Sequence, residues 1–204
     1  EECGITFIGP RPATLRALGD KAEARKLMQR AGLPIVPGSD DPVRDISEAR
    51  RIARRLGYPI LVKAAAGGGG RGMRIVRDER ELATALQVAQ QEAQAAFGDP
   101  SVYLERYLER PRHVEVQILA DQHGNVYAIG ERDCSIQRRY QKLIEEAPAP
   151  ELPAKVRRAL HEAAVRGARA VGYIGAGTFE FLLDRDGNFY FTEANARIQV
   201  EHPV

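Results

Sequence analysis

Apolar and polar residues alternate from His113 to Ala120, a pattern that predicts a β-strand with one apolar and one polar face. Gly124-Asn125 then turns the chain, and Val126 to Ile129 returns as an antiparallel partner. Antiparallel sheets commonly keep one face polar. We therefore expect the polar face of this pair to line a site; it carries His113, Glu115 and Gln117.

A second hairpin is predicted near the end of the chain, where two apolar strands flank Asp186-Gly187, a strong signal for a two-residue turn. Counting outward from that turn pairs Leu183 with Tyr190 and places Glu180 opposite Glu193. Directly opposed like charges are destabilising. The two carboxylates therefore need a cation or a shared proton, and Mg²⁺ is commonly held by such a pair together with nucleotide phosphates. A register error of one residue would separate them.

Alternation continues beyond this hairpin, because every second residue from Glu193 to Glu201 is polar. If this segment is extended, its polar residues share one face over about 26 Å at ~3.3 Å per residue. That face would place two acids, two amides and a guanidinium in line: Glu193, Glu201, Asn195, Gln199 and Arg197.

Four consecutive glycines, Gly67 to Gly70, lie between a short apolar strand at Pro59 to Val62 and a second strand that begins at Met73. Four glycines are entropically costly to order. Bare backbone N–H groups beside Lys63 and Arg71 suit phosphate. The segment that follows reads as extended, which excludes a dinucleotide-binding fingerprint and a P-loop. A flexible lid over nucleotide phosphates is therefore expected, and a surface hairpin tip is the alternative.

The rest of the chain is predicted to alternate helices with short strands. Glu131 to Lys142 is a dense polar run of the kind usually found in solvated loops, although its cations could also form an anion pocket. The predicted helices are 12–32, 47–57 with Ser47 as N-cap, 79–97 and 153–172, and the further predicted strands are 3–8 and 102–104.

Composition is that of an ordinary globular protein of one large or two small domains. The 204 residues include 30 basic and 28 acidic ones, so the net charge of +2 gives no case for nucleic acid or an anionic membrane as partner. Two cysteines form no disulfide framework, which favours a reducing compartment, and we expect a cytoplasmic protein. No apolar run is long enough to span a membrane. The first residue is not Met, and we expect a piece of a longer protein.

Several linked motifs resemble the biotin carboxylase branch of the ATP-grasp enzymes. They are Lys63 with AAAGGGGRGM, LERYLERPRHVEVQ, ERDCSIQRRYQKLIEEAPAP, GAGTFEF and EANARIQVEHPV. The resemblance covers nearly the whole chain. It implies an α+β ATP-grasp fold with a small α+β lid domain at 21–107 and an incomplete antiparallel-sheet C-terminal domain at 108–204. Residues 1–20 would be the end of a preceding α/β preATP-grasp domain.

The resemblance also implies roles for single residues. ATP would be bound by Lys21, Lys63, Gly69, Gly70, the hinge residues Glu105, Arg106, Tyr107 and Leu108, His113, Tyr140, Glu180 and Glu193. Glu180, Glu193 and Asn195 would hold magnesium or manganese. Bicarbonate would lie among Lys142, Arg197, Gln199 and Val200, with Glu201 as the general base.

The reaction implied is ATP-dependent carboxylation of biotin through carboxyphosphate, the first half-reaction of acetyl-CoA or other acyl-CoA carboxylases in fatty acid biosynthesis. Its implied partners are a biotin carboxyl carrier protein or domain and a carboxyltransferase, and the full-length protein would be a homodimer. The family's biotin-contacting arginine would fall beyond Val204.

The sequence departs from the family at several positions. Ala194 stands where a larger apolar residue is usual, Ala196 where Thr, Ser or Pro is usual, and Tyr140 where His or Asn is common. Two alternatives therefore remain: another ATP-grasp ligase such as carbamoyl phosphate synthetase, or a non-catalytic nucleotide-binding module.

Overall fold

The structure is a computed structural model, and it describes residues 4–65, 73–138 and 141–203; the side chain of Lys21 is also outside this description. The chain divides into two compact units. The large unit comprises Glu1–Ile35, Arg110–Arg138 and Lys142–Val204, and the small unit comprises Val36–Glu109 with Arg139–Gln141. The domain limits expected from the sequence, at residues 20 and 107, stay a prediction.

Helices and strands alternate through the small unit, whereas strands dominate the large one. The helices are α1 Pro12–Gly19, α2 Lys21–Arg30, α3 Ile46–Leu56, α4 Glu79–Phe97 and α5 Ala154–Ala170. The strands are β1 Ile60–Ala64, β2 Arg74–Val76, β3 Val102–Arg106, β4 Arg112–Ala120, β5 Val126–Arg138, β6 Gln141–Glu146, β7 Gly175–Leu183 and β8 Phe189–Asn195.

The small unit is an antiparallel three-stranded sheet, ordered β2-β1-β3, with α3 and α4 packed on it. The predicted helix 79–97 is confirmed as α4, which begins where the Asp78 side chain accepts hydrogen bonds from two backbone N–H groups. The expected N-cap of α3 is wrong: Asp45, not Ser47, accepts the Glu48 N–H at 2.9 Å. The glycine lid, including Gly69 and Gly70, lies outside the described residues.

The large unit is an antiparallel five-stranded sheet ordered β6-β5-β4-β7-β8. Its apolar face packs against α5 and α2, and Phe179, Phe181 and Leu160 are fully buried there. Gly167 of α5 permits this approach, because a Cβ at that position would come within 2.9 Å of the Phe179 ring. The opposite face of the sheet carries the polar residues of β4. The α+β ATP-grasp fold expected from the sequence is confirmed by this architecture and by the solved structures described below.

Residues 131–138 of the polar run are not a solvated loop, which corrects the more common interpretation of such runs. β5 continues to Arg138, past a bulge at Ile129, where Gln117 pairs with Gly130 and Ile118 with Ala128. The strand is longer than expected because Glu131, Arg132 and Asp133 each have a charged partner, so their burial is compensated.

Close to the turn of the last hairpin, the strand pairing differs by one residue from the prediction. Leu183 pairs with Phe189 instead of Tyr190, because residues 184–188 form a wider turn in which Gly187 has φ +83°. The Asp184 side chain closes this turn by accepting the Asn188 N–H at 2.8 Å. A bulge at Thr192 then restores the register, so that Glu180 does lie opposite Glu193.

Three further expectations are wrong. Gly4 to Ile8 is not a strand, and Cys3 lies outside the described residues. The helix expected over 12–32 breaks at Asp20, whose side chain caps α2 by accepting the Ala22 N–H at 2.9 Å. The extended face expected to reach Glu201 ends with β8 at Asn195. From position 200 the chain turns, and the His202 N–H donates to the Gln199 carbonyl at 3.2 Å.

Within the described part of the chain, every helix is too short or too polar to cross a lipid bilayer.

Candidate active site

The polar face of the five-stranded sheet brings charges of alternating sign together. Glu115 on β4 pairs in register with Arg132 on β5 and with Glu180 on β7, so these three side chains lie on one face. Lys142 on β6 and His113 on β4 complete the set. We call it the polar network: Arg132, Glu115, Lys142, Glu180 and His113, all in the large unit.

Glu115 is the centre of the polar network and is fully buried. One of its carboxylate oxygens, Oε1, accepts a hydrogen bond from Arg132 Nε at 2.6 Å. The other, Oε2, accepts one from Lys142 Nζ. A buried carboxylate without partners would be costly. Here each oxygen has a cationic donor, so the burial of Glu115 is compensated.

Lys142 connects the two acids of the polar network, since its ammonium also donates to Glu180 Oε1 at 2.9 Å. Burial opposes the charged form of this lysine, but Glu180 and Glu115 outweigh it and raise the pKa of Lys142 above its usual value. The ammonium is therefore a fixed positive charge.

Glu180 receives three donors: Lys142, Asn195 Nδ2 at 2.6 Å and His113 Nε2 at 2.6 Å. Burial alone would raise the pKa of this carboxyl group. The hydrogen bond from His113, the electrostatic attraction of that imidazole and the ammonium of Lys142 instead lower the pKa to about 2. Glu180 is consequently ionised at any ordinary pH.

The tautomer of His113 follows from its other neighbour. Gln137 Nε2 lies 2.8 Å from the Cys134 carbonyl, which only accepts, so the amide orientation is fixed. The same Nε2 lies 2.9 Å from His113 Nδ1, which therefore accepts. The proton of a neutral His113 ring is then on Nε2, where it is donated to Glu180.

Two ionisable groups beside the polar network were not assigned a role from the sequence. Burial, and then Glu115 and Glu201, raise the pKa of Glu145, whose Oε2 is buried and accepts no hydrogen bond among the described residues. Burial also raises the pKa of Cys134 far above its usual value, so the thiol stays protonated. Cys134, Glu145 and Glu115 lie close enough to share an ion. They do not fit one in chemical type, because the Cys134 thiol stays protonated and only a thiolate is a metal ligand.

The residues expected to hold a divalent metal do fit one in chemical type. Glu180 and Glu193 face each other across β7 and β8, and Asn195 lies two pairs along, opposite Thr178. Carboxylate and amide oxygens are the ligands that Mg²⁺ and Mn²⁺ prefer. An ionised Glu180 is ready to serve as such a ligand.

The remaining predicted residues of the large unit are less closely held. Arg197 is exposed and donates to the Ile198 carbonyl at 3.2 Å, Val200 is 94% exposed, and Gln199 and Glu201 are half-buried in the turn that follows β8. Lys21 is the first residue of α2, and Tyr140 lies outside the described residues.

In the small unit, the structure pairs two of the predicted ATP-binding residues. Lys63 Nζ lies 2.6 Å from the buried Glu105 carboxylate, because β1 and β3 are neighbouring strands. The segment that continues from Glu105 carries the other predicted hinge residues, of which Arg106 is exposed and Tyr107 and Leu108 are half-buried.

Sequence reasoning identified Arg132 only as one cation of a polar run that could form an anion pocket, and it missed Thr178. The alternation in β4 identifies Glu115 and Gln117 as facing a site, but the partner of each on β5 depends on the bulge at Ile129. Nothing in the sequence announces that bulge, so Arg132 could not be placed opposite Glu115.

A family profile described as "Carbamoyl-phosphate synthase L chain, ATP binding domain" matches residues 20–204. The chain belongs to this ATP-binding domain family. The match covers both the sheet that carries the polar network and the small unit.

Several biotin carboxylases are similar to this chain. The chain is 57% identical to biotin carboxylase 1, chloroplastic, of Populus trichocarpa, over 203 residues that make up 100% of this chain and 38% of that protein. A crystal structure of a biotin carboxylase complex from Campylobacter jejuni has 53% identity and a TM-score of 0.91, covering 100% of this chain and 46% of the other.

A further structure is informative because of its ligands. The biotin carboxylase domain dimer of Hydrogenobacter thermophilus 2-oxoglutarate carboxylase, solved with MgADP, ADP and bicarbonate, has 53% identity and a TM-score of 0.90. It is covered to 45%, and this chain to 100%. The chain therefore spans less than half the length of the biotin carboxylases that it matches.

Proposed function

We propose that this chain is the nucleotide- and bicarbonate-binding part of a biotin carboxylase, an ATP-dependent ligase that carboxylates biotin through carboxyphosphate. The observation that carries the proposal is the polar network, in which a fixed ammonium, Lys142, lies between two buried carboxylates. One of them, Glu180, faces the further acid Glu193. The acids of this arrangement can hold a divalent cation beside the placed ammonium, and these positive charges would stabilise the negative charge that develops when bicarbonate attacks a phosphate.

Glu180, Glu193 and Asn195 would hold Mg²⁺ or Mn²⁺, which supplies positive charge next to the transferred phosphoryl group. His113 orients Glu180 through Nε2, and Asn195 does so through its amide nitrogen. Both hydrogen bonds fix the direction of the Glu180 carboxylate before any ligand is bound, so little reorganisation is needed when charge develops.

Bicarbonate would be bound by cations and polar groups of the large unit, namely Lys142, Arg197, Gln199 and the backbone at Val200. Glu201 would remove its proton. Glu201 contributes to the raised pKa of Glu145, so the two carboxyl groups influence each other.

Further residues are proposed to contact ATP. We assign the phosphates to Lys21, Lys63 and the backbone of Gly69 and Gly70, the adenine edge to Glu105, Arg106, Tyr107 and Leu108, and further nucleotide contacts to His113 and Tyr140. The ion pair of Lys63 with Glu105 keeps that ammonium in a defined position.

The whole protein would act on biotin attached to a carrier protein or domain and deliver the carboxyl group to a carboxyltransferase, as in acetyl-CoA or other acyl-CoA carboxylases of fatty acid biosynthesis. A homodimer is proposed, in keeping with the dimer named for the Hydrogenobacter thermophilus domain. A cytoplasmic location stays a prediction, since the relative from Populus trichocarpa is named chloroplastic.

The test is formation of ADP by the purified full-length protein. ADP formation should require both bicarbonate and free biotin, and E180Q or E193Q should lower the Mg-ATP-dependent rate. E23Q, which changes an exposed glutamate of α2, is the matched control and should leave the rate unchanged. Equal ADP formation without biotin would contradict the proposal, and an unchanged rate in E180Q or E193Q would remove that residue's metal role.

Carbamoyl phosphate synthesis is the second candidate, and the description of the matched family favours it. It shares bicarbonate-dependent ATP cleavage with the first candidate. The two candidate functions differ in the molecule that accepts the carboxyl group, which is biotin in the first and ammonia in the second. Formation of carbamoyl phosphate that requires ammonia and does not respond to biotin would select the second.

A further inference from the structure

We propose that Arg132 is a positioning residue for Lys142: it fixes the direction of the Glu115 carboxylate, and Glu115 in turn holds the Lys142 ammonium in place. This inference rests on the proposed function, in which Lys142 contacts bicarbonate. It adds a residue that has no direct contact with ATP, metal or bicarbonate in that proposal.

The contacts of Arg132 give it a single orientation. Its Nε donates to Glu115 Oε1 at 2.6 Å, and its Nη1 donates to Gln117 Oε1 at 3.0 Å. Its Nη2 lies 3.4 Å from Thr178 Oγ1. The guanidinium is planar and always charged, so these contacts on β4 and β7 fix its whole plane.

Arg132 and Glu115 are both buried, so each needs the charge of the other as compensation. The side chain of Arg132 is 2% exposed and that of Glu115 is 0% exposed. Removing one member of such a pair leaves the other as an uncompensated buried charge. Without Arg132, Glu115 Oε1 would lose the donor that directs the carboxylate, and the carboxylate would be free to rotate away from Lys142.

The effect passes from Glu115 to Lys142 through the opposite carboxylate oxygen. Because Oε1 is held by Arg132, Oε2 has a fixed direction, and Lys142 Nζ is bonded to it. Lys142 is then placed by two acids at once, Glu115 and Glu180. If Glu115 rotates or becomes neutral, Glu180 alone holds the ammonium.

The charges around Glu115 come from every neighbouring strand. β5 contributes Arg132 and the protonated thiol of Cys134, β6 contributes Lys142 and Glu145, β7 contributes Glu180, and β4 itself contributes His113. Arg132 and Lys142 are the two cations that balance the two ionised acids, Glu115 and Glu180. Removing Arg132 therefore leaves an excess of negative charge beside the proposed bicarbonate site.

The decisive experiment is a double-mutant cycle on the full-length protein with R132M, K142M and the combination of both. R132M should lower kcat/KM for bicarbonate by about 10- to 100-fold, the range typical of residues that orient a ligand-binding group. The KM for bicarbonate should rise more than the KM for ATP. The double variant should be no worse than K142M alone, because both changes remove the same placed ammonium.

Conservative replacement gives a second readout. R132K should recover part of the activity, since an ammonium can pair with Glu115 but cannot also reach Gln117 and Thr178. R157M is the matched control: Arg157 also bonds a buried glutamate, Glu131 at 2.8 Å, and its loss should leave the KM for bicarbonate unchanged.

If R132M fails to fold, E115Q combined with R132M removes both buried charges together and should fold, while Lys142 remains unplaced and activity stays low. Wild-type activity in that variant would overturn the inference, and so would effects of R132M and K142M that multiply. An inactive wild-type protein, by contrast, would refute the proposed function and leave the assignment of Arg132 without its reaction.

Discussion

Gly177 on β7 is a position at which a single methyl group should be strongly destabilising. A Cβ placed there would lie 2.0 Å from the hydroxyl oxygen of Tyr173 and 2.4 Å from the ring carbon that bears it. Tyr173 is 2% exposed, and its hydroxyl donates to the Ala176 carbonyl at 3.0 Å. In G177A the ring must therefore leave its place, and that hydrogen bond is lost.

The expected cost follows from two contributions. Overpacking of a well-packed core costs about 1–3 kcal/mol. A lost intramolecular hydrogen bond adds about 0.5–1.5 kcal/mol. The free energy of unfolding should thus fall by about 2–4 kcal/mol, which corresponds to a Tm lower by roughly 4–16 °C for a protein of this size.

The measurement is thermal and urea denaturation followed by circular dichroism. G130A is the matched control, because Gly130 is also a strand glycine but a Cβ there meets nothing within 4 Å. In a Y173A background, where the obstructing ring is absent, adding G177A should cost little. A Tm of G177A within 1–2 °C of the wild type, about the effect of ~0.5 kcal/mol, would refute the reasoning.

Three other outcomes are expected. E180Q should be less stable than the wild type by about 3 kcal/mol above pH 5, because the pKa of Glu180 is lowered from 4.5 to about 2. The ionised carboxylate is stabilising above its unfolded pKa and this contribution is lost as the pH falls towards 2, so urea denaturation should show the difference shrinking; a difference independent of pH would contradict it. D78A should cost about 1 kcal/mol by removing the N-cap of α4, whereas R80A keeps the cap and should cost less; equal losses would argue against capping. In a C3S background, Cys134 should react with a thiol reagent only after unfolding, because its thiol is buried and its pKa is raised; fast reaction of the native protein would contradict this.

The strands of the large unit were predictable where apolar and polar residues alternate, because the pleat transmits that alternation directly to the two faces. β4 and α4 were expected close to their observed positions. The structure of charged runs was harder to predict. Residues 131–138 look solvated in sequence, but Arg132 pairs with Glu115 on β4 and Glu131 pairs with Arg157 on α5, partners that no local pattern reveals.

The sequence correctly predicted that Glu180 lies opposite Glu193. The prediction counted residues outward from the turn and assumed a two-residue loop and no bulge, and these two errors cancel. The turn is one residue wider than a two-residue loop, and the bulge at Thr192 makes up the difference. Bulges depend on tertiary contacts, here a hydrogen bond from the Thr192 hydroxyl to the Glu180 carbonyl at 3.1 Å. Sequence patterns therefore indicate which residues share a face more reliably than which residues pair.

The bulge at Thr192 has a consequence for how this hairpin can diverge among related proteins. A bulge adds one unpaired residue to a strand, so the length of the surface turn does not by itself decide which acids pair deeper in the sheet. A relative that gains or loses one residue between Asp184 and Asn188 can absorb the change at this point. Insertions and deletions at the tip can therefore accumulate while the two glutamates continue to face each other.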